Sequence, residues 1–219
     1  MTEITRDHLE RDLSRQTASP VTTCVDRDLE LELVARLRQR DPAAFEAVHD
    51  AFNARLFNFL ARLANSRDVA EDLLEETWLR LVGHAARLNP DTSLGPWLFT
   101  VARNLHISYR RSRAIEDAGT ADAVGLWSIG TRTPSPLEQV EAGEMGRRVA
   151  QALAALPTTY REALLLVAVE GLRPSEAAAI CGVTPEAMRQ RLSRGRALLE
   201  RRLTETEGPG LRYLKEVIP

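Results

Sequence analysis

The sequence contains almost no lysine and very little cysteine. Lys215 is the only lysine among 29 basic residues. The two cysteines, Cys24 and Cys181, are too few and too far apart to predict a disulfide framework or a zinc cluster. No segment approaches the roughly 20 apolar residues that a membrane span needs, and the first residues lack the apolar stretch of a secretory signal. We therefore expect neither membrane insertion nor secretion, and the cytoplasm is the expected compartment.

The charge balance excludes one class of protein. A net charge of −2 over 219 residues rules out a globally basic nucleic-acid binder. The abundant arginine suits phosphates and base edges, because its guanidinium presents a fixed fork of donors. Codon bias in a GC-rich genome would give the same skew, since alanine and leucine are also abundant. Arginine content alone therefore leaves the partner open.

Apolar residues recur at spacings of three and four, and no segment shows the alternation of a strand. This pattern predicts an all-α fold with two small helical domains joined by a flexible linker. The glycines and prolines after the first helical block indicate the linker. The predicted parts are a flexible extension (1–25), a first domain (26–113), the linker (114–137), a second domain (138–203) and a C-terminal tail (204–219).

Residues 174–200 have the pattern of a helix-turn-helix. A short helix over 174–180 is followed by Gly182, at a position where a positive φ is often needed. Thr184 and Pro185 then favour the start of a second helix, as an N-cap and a first helical residue.

A helical projection separates two faces of that second helix. Met188, Leu192 and Gly195 fall inward. The opposite face carries residue types that read base edges in a major groove. From 186 to 202 there are six arginines and two glutamates, a local charge of +4. A solvated basic helix in an ordinary bundle is the alternative. The candidate duplex-binding residues are Thr184, Glu186, Arg189, Gln190, Ser193 and Arg194.

An acidic face lies on the helix predicted over 69–82. Its carboxylates are Glu71, Asp72, Glu75 and Glu76. They fit solvated surface, a docking patch for a basic partner, or a metal or acid–base site. The metal alternative lacks a histidine at ligand spacing on this helix. The inward face is expected to comprise Val69, Leu73, Leu74, Thr77, Trp78, Leu81 and Val82.

Aromatic and basic residues alternate from Trp97 to Arg113. This mixture suits single-stranded DNA, whose bases stack and whose phosphates need neutralising. Trp97 also lies on the apolar stripe of its helix, so core packing is an alternative role for that side chain.

Three segments together resemble the bacterial sigma factors. Residues 68–80 (DVAEDLLEETWLR) resemble region 2.2, and residues 96–104 (PWLFTVARN) resemble regions 2.3 and 2.4. Leu156-Pro157, Arg161 and the helix-turn-helix resemble region 4. This order, without regions 1.1 and 3, is similar to the extracytoplasmic-function (group 4) factors of the sigma-70 family. The resemblance covers about residues 26–203. Glu75 departs from the usual glutamine, and Gly195 from a common alanine.

The resemblance implies a promoter-specificity factor without catalytic activity, metal or cofactor. Its implied partners are core RNA polymerase, through the β′ and β subunits, and promoter DNA. An anti-sigma factor is a further partner common in the family, and no membrane or small-molecule substrate is implied. The acidic helix with its four carboxylates would dock on the β′ coiled coil, with Asp72 and Glu76 facing the partner. The predicted second helix would read the −35 element.

The loop over 89–95 would capture a flipped base of the −10 element, and the helix after it would hold the melted strand. The implied −10 residues are Asn89, Asp91, Thr92, Ser93, Trp97, Arg103, Asn104, Arg110 and Arg111. Apart from the resemblance, two other classes stay open. One is a stand-alone helix-turn-helix regulator, and the other is a helical metal enzyme that uses the acidic face.

Overall fold

The computed structural model describes residues 27–119 and 144–206 of the chain. The predicted extension with Cys24, most of the predicted linker and most of the tail lie outside the described residues. Throughout those two ranges all regular structure is helical, which confirms the all-α prediction.

The first domain contains four helices. They are α1 (Arg27–Arg38), α2 (Pro42–Ala64), α3 (Arg67–His84) and α4 (Leu94–Gly119), with a 3-10 turn at Ala85–Arg87. The second domain contains α5 (Glu144–Ala154), α6 (Thr158–Leu164), α7 (Pro174–Cys181) and α8 (Pro185–Thr206), and α6 continues as a π-helical turn over Leu165–Val169. Helices α4 and α8 extend past the predicted domain boundaries, which stay predictions.

Local side chains set the helix ends in the first domain. Asp41 accepts a hydrogen bond from the amide of Ala43 at 3.0 Å and Pro42 occupies the first turn of α2, as the Asp-Pro pair predicts. Asn65 ends α2 in the left-handed conformation, with φ of 54°. Ser66 then caps α3 by accepting from the amide of Val69. Asn65 therefore ends one helix, and the next residue, Ser66, begins the following one.

The first domain is organised around an aromatic pair. Phe59 of α2 meets Phe99 of α4 edge to face, with ring centroids 5.3 Å apart, and both side chains are fully buried. Val34 and Leu37 of α1 are also fully buried. Val82 is the exception among the predicted inward residues of α3, because it is 55% exposed whereas its neighbour Leu81 is buried.

The two domains pack against each other. Helix α4 contacts α7, and α2 contacts α5 and α6. The core of the second domain includes Leu164, Leu165, Met188 and Leu192. It lies where α6 packs on α8 and the π-helical turn packs on α7. The packing between the two domains places Arg103 and Arg110 of α4 beside the second domain.

Candidate nucleic-acid interface

The helix-turn-helix forms as the sequence predicts. Gly182 ends α7 with φ of 63°, a conformation that glycine adopts without strain. The hydroxyl of Thr184 accepts from the amide of Ala187 at 3.1 Å and caps α8. The turn therefore fixes the direction in which α8 leaves the domain.

The two predicted faces of α8 are confirmed. Met188, Leu192 and Gly195 are buried. The opposite face points away from the protein, and Arg189 forms an ion pair there with Glu186. Arg189 also donates hydrogen bonds to the carboxylate of Glu186. These hydrogen bonds, and then the positive charge of Arg189, lower the pKa of Glu186. All six candidate duplex-binding residues are exposed: Thr184, Glu186, Arg189, Gln190, Ser193 and Arg194.

Glycine at position 195 has a packing reason. A Cβ atom there would lie 3.3 Å from side-chain carbons of Leu164 and 3.4 Å from the Cβ of Tyr160. Alanine would therefore require the side chain of Leu164 to shift by a few tenths of an ångström. Close packing of α8 on α6 offsets the helix propensity that glycine loses.

The acidic residues of α3 divide into two kinds. Glu71 pairs with Arg67 at 2.8 Å and Glu76 with Arg80 at 2.7 Å, each one helical turn away. Within the described ranges, neither Asp72 nor Glu75 makes an ion pair. These two carboxylates therefore remain available to an external basic group.

Two apolar side chains continue the line of those free carboxylates. Leu79 is 58% exposed and Val82 is 55% exposed. Positions 72, 75, 79 and 82 share one helix face because they are spaced by three and four residues. We call Asp72, Glu75, Leu79 and Val82 the α3 stripe. Half acidic and half apolar, it differs from a purely solvated helix face.

The loop before α4 has a defined conformation. Helix α4 begins at Leu94, so residues 94 and 95 of the predicted 89–95 loop are helical. We call the remaining residues the 89–93 loop. Asn89 accepts from the amide of Asp91 through its side chain and from the amide of Thr92 through its carbonyl, at 3.0 and 2.9 Å. This is a side-chain-stabilised turn. Asn89 and Asp91 are exposed, whereas Thr92 and Ser93 are half-buried.

Side chains of α1 hold this loop. Arg27 donates to the carbonyl oxygen of Asp91 at 2.8 Å and to Oγ of Ser93 at 3.0 Å. Glu30 accepts from Nη1 of Arg27 and from the amide of Leu94, both at 2.7 Å. Sequence reasoning missed Arg27 and Glu30, because their partners lie more than 60 residues away and no periodic pattern links them.

The predicted strand-binding residues of α4 lie in two environments. Asn104 and Arg111 are exposed, while Trp97 is half-buried against the core, 6.5 Å from the ring of His84. Arg103 and Arg110 instead contact the second domain. Arg110 donates to Oγ1 of Thr158 at 3.0 Å.

Arg103 forms a buried ion pair across the two domains. Its Nε and Nη2 donate to the two carboxylate oxygens of Glu162 at 2.5 and 3.3 Å, and Nη1 donates to the carbonyl oxygen of Ile180 at 3.3 Å. The side chains are 14% and 5% exposed, respectively. Sγ of Cys181 lies 3.5 Å from the same carboxylate. Burial first, and then the negative charge of Glu162, raises the pKa of the Cys181 thiol to about 12.

Further polar contacts join the domains. Arg55 donates to the carboxylate of Glu170 at 3.1 Å and to its carbonyl oxygen at 3.0 Å, and burial raises the pKa of Glu170. Arg161 donates to the carbonyl oxygens of Arg62 and Leu63 at the end of α2. Arg55, Glu162 and Glu170 are not among the site residues that the sequence predicts. A glutamate at each end of the apolar run over 163–169 is the signal that could have identified Glu162 and Glu170.

The described ranges contain no cluster of three or more His, Cys, Asp or Glu side chains that could hold a metal ion. Over the same ranges, no helix has both the length and the apolar character that crossing a membrane requires.

Comparison with protein families gives two matches in order along the chain. Residues 48–115 match "Sigma-70 region 2" and residues 146–199 match "Sigma-70, region 4". The extracytoplasmic-function RNA polymerase sigma factor EcfG of Rhodopseudomonas palustris is 38% identical over 143 residues, which cover 64% of this chain and 75% of EcfG. The chain belongs to the extracytoplasmic-function sigma factors of the sigma-70 family.

Other relatives agree with this assignment. The probable sigma factor RfaY of Xanthomonas campestris is 36% identical over 146 residues, which cover 65% of this chain and 36% of RfaY. The structure of the sigma factor RpoE in complex with the anti-sigma factor NepR from Bartonella quintana superposes with a TM-score of 0.59 and 29% identity, over 81% of this chain and 98% of that one. The factor thus has the fold and the two domains of a promoter-specificity protein.

Proposed function

We propose that this sigma factor is a group 4 member that binds core RNA polymerase, recognises −35 duplex and helps to melt the −10 region. It acts in the cytoplasm and catalyses no reaction of its own. One observation carries the proposal. The chain matches regions 2 and 4 in order, and its α3 stripe and groove-facing α8 surface are both exposed.

The α3 stripe is the proposed docking surface for the β′ subunit. Asp72 and Glu75 can meet basic side chains of a partner, since no arginine of residues 27–119 and 144–206 forms an ion pair with them. Leu79 and Val82 supply apolar contact at the same site. Glu71 and Glu76 already pair within α3, so we expect them to contribute mainly long-range electrostatic attraction.

Helix α8 is the proposed −35 reader. Gln190 and Arg194 carry side chains suited to adenine and guanine edges, and both are exposed on the face opposite the core. The helix-turn-helix cap at Thr184 fixes the angle at which this face meets a groove.

The −10 element is proposed to engage the 89–93 loop together with Trp97, Asn104 and Arg111. A flipped base needs a pocket and a stacking partner, which a shaped loop beside an aromatic ring supplies. Arg110 is exposed although it donates to Thr158, whereas Arg103 joins this surface only after it leaves Glu162. We therefore infer that the two domains separate when −10 DNA binds.

An anti-sigma factor is a further proposed partner. RpoE, which is 29% identical to this chain, is solved with the anti-sigma factor NepR. That similarity supports the proposal, which a pull-down from the source cell would test directly.

Run-off transcription tests the proposed function. Purified core RNA polymerase is supplied with fragmented DNA of the source genome, with and without this protein. Discrete new transcripts that share −35 and −10 elements are expected. An absence of transcripts and of comigration with core polymerase would contradict the proposal and favour the stand-alone regulator.

Asp72→Arg tests the docking surface within that assay. Reversing this charge should reduce binding to core polymerase at least tenfold, because the arginine would face basic partner groups. Asp50→Arg is the matched control, since Asp50 is exposed on α2 and outside the stripe. Equal core affinity for the two variants would refute the assignment of the stripe, provided that thermal melting shows both to be folded.

A further inference from the structure

The 89–93 loop is fixed from outside by a single rigid group. The guanidinium of Arg27 reaches both the backbone of Asp91 and the side chain of Ser93. Because the guanidinium is planar, these two donor positions hold two points of the loop at a set separation. The internal turn built on Asn89 fixes the remaining part.

Glu30 links this arrangement to the start of α4. One carboxylate oxygen accepts from Arg27, and the other accepts from the amide of Leu94, the first residue of α4. That amide has no acceptor within its own helix, and a carboxylate is favourable at a helix N-terminus. Helix α4 is thus capped by a residue that lies 64 positions earlier in the chain.

We propose that Arg27 and Glu30 are positioning residues for −10 recognition, which hold the 89–93 loop in the shape that accepts a promoter base. The inference rests on the proposed function of that loop. A loop that is already ordered does not have to lose conformational freedom when it captures a base, so preorganisation raises affinity and sharpens discrimination.

Arg27 and Glu30 lie where a positioning role can be distinguished from a role in folding. Helix α1 is anchored in the core by Val34 and Leu37, which are fully buried. Arg27 is exposed and Glu30 half-buried, at the outer end of the helix. Loss of either polar side chain therefore leaves the apolar contacts of α1 in place.

Amide hydrogen exchange on the free full-length protein tests, without polymerase, whether Arg27 and Glu30 hold the loop and the start of α4. Glu30→Gln should speed exchange of the Leu94 amide at least fivefold, and Arg27→Gln should do the same for the loop amides. The controls are Glu32→Gln and Arg38→Gln, which change exposed residues of the same helix and should leave these rates within twofold of wild type. Rates in the test variants equal to those in the controls would overturn the proposal.

Promoter discrimination tests the positioning role itself. On a promoter recovered by run-off transcription, initiation is compared between the native −10 element and single-base substitutions of it. Arg27→Gln should reduce the wild-type preference at least fivefold, while binding to core polymerase stays within twofold. Arg27→Lys, which keeps one charged donor, should recover part of the preference.

Failure of the positioning role can be distinguished from failure of the proposed function. Undiminished discrimination by an active Arg27→Gln factor would overturn the positioning role alone. If wild-type protein gave no polymerase-dependent transcripts, the proposed function and the promoter role of the pair would both fall. Loss of core binding together with a lowered melting temperature in Arg27→Gln would also overturn the proposal, because it would make Arg27 a folding residue.

Discussion

In the structure the two domains pack together, and we call this the closed arrangement. Replacing Glu162 by glutamine should move the free protein from this arrangement toward one in which the domains are separated. The carboxylate is 5% exposed and takes two hydrogen bonds from Arg103, a residue that we place on the −10 surface. Glutamine has the same shape but removes the charge that compensates the buried guanidinium. The amide oxygen of the glutamine can still accept one hydrogen bond from Arg103. Its NH₂ group would face the other N–H donor of Arg103, so the second hydrogen bond is lost.

The magnitude follows from the burial of the pair. Removing one partner of a buried ion pair costs about 3–5 kcal/mol, and the remaining neutral hydrogen bond returns about 1 kcal/mol. The closed state should therefore lose about 3 kcal/mol, which corresponds to roughly a 100-fold change in the ratio of closed to open protein. The gain in DNA affinity cannot exceed the closed-to-open ratio of the wild type.

Fluorescence anisotropy with a single-stranded oligonucleotide that carries the −10 element measures this change. Free Glu162→Gln protein should bind it at least tenfold more tightly than wild type, at one fixed salt concentration. Glu200→Gln is the control, because it makes the same charge change at an exposed site of the second domain. Equal affinities for the two variants would refute the competition between Glu162 and DNA for Arg103.

Three other outcomes are expected. Gln190→Ala and Arg194→Ala should each weaken −35 duplex binding by about 1–3 kcal/mol, whereas Arg201→Ala on the same helix should not change the −35 footprint. Because its pKa is about 12, Cys181 should react with iodoacetamide at pH 8 at least about 100-fold more slowly in the folded protein than in denaturant. His106 has a folded pKa of about 4, first through burial and then through nearby arginines, so the unfolded state binds the proton more readily. Denaturant titrations should show stability falling from about pH 6.5 to pH 4 by up to about 1.4 kcal/mol per unit, and His106→Gln should reduce that slope.

Local chemistry made part of this structure predictable. The Asp41-Pro42 start of α2, the positive φ of Gly182 and the cap at Thr184 each depend on residues close in sequence. The inward and outward faces of α8 follow from helical geometry, because one side of that helix is buried along its N-terminal half.

Periodicity was misleading at Val82 for a physical reason. It follows Leu81 directly, and two adjacent helical residues point about 100° apart, so a contact that covers the Leu81 side of α3 leaves Val82 exposed. Leu81 is buried there, and Val82 joins the exposed stripe with Leu79. Composition alone cannot decide between two adjacent apolar residues.

Contacts between distant segments were not predictable from one sequence. Arg103 looks like a DNA contact in its local context, and only the fold brings Glu162 to it. The same is true of Glu30 at the amide of Leu94. In each case a charged residue on a helix surface has many possible partners, and tertiary packing selects one.

The distribution of free and occupied groups suggests an order of events in initiation. The α3 stripe and the outward face of α8 are exposed in the closed arrangement, so docking on polymerase needs no rearrangement within the stripe. Arg103 is instead held by Glu162 of the second domain. Polymerase and −35 DNA bound to separate domains would pull those domains apart, which would release Arg103 beside the melted strand. Binding to −10 DNA should therefore depend on core polymerase in the wild type and much less so in Glu162→Gln.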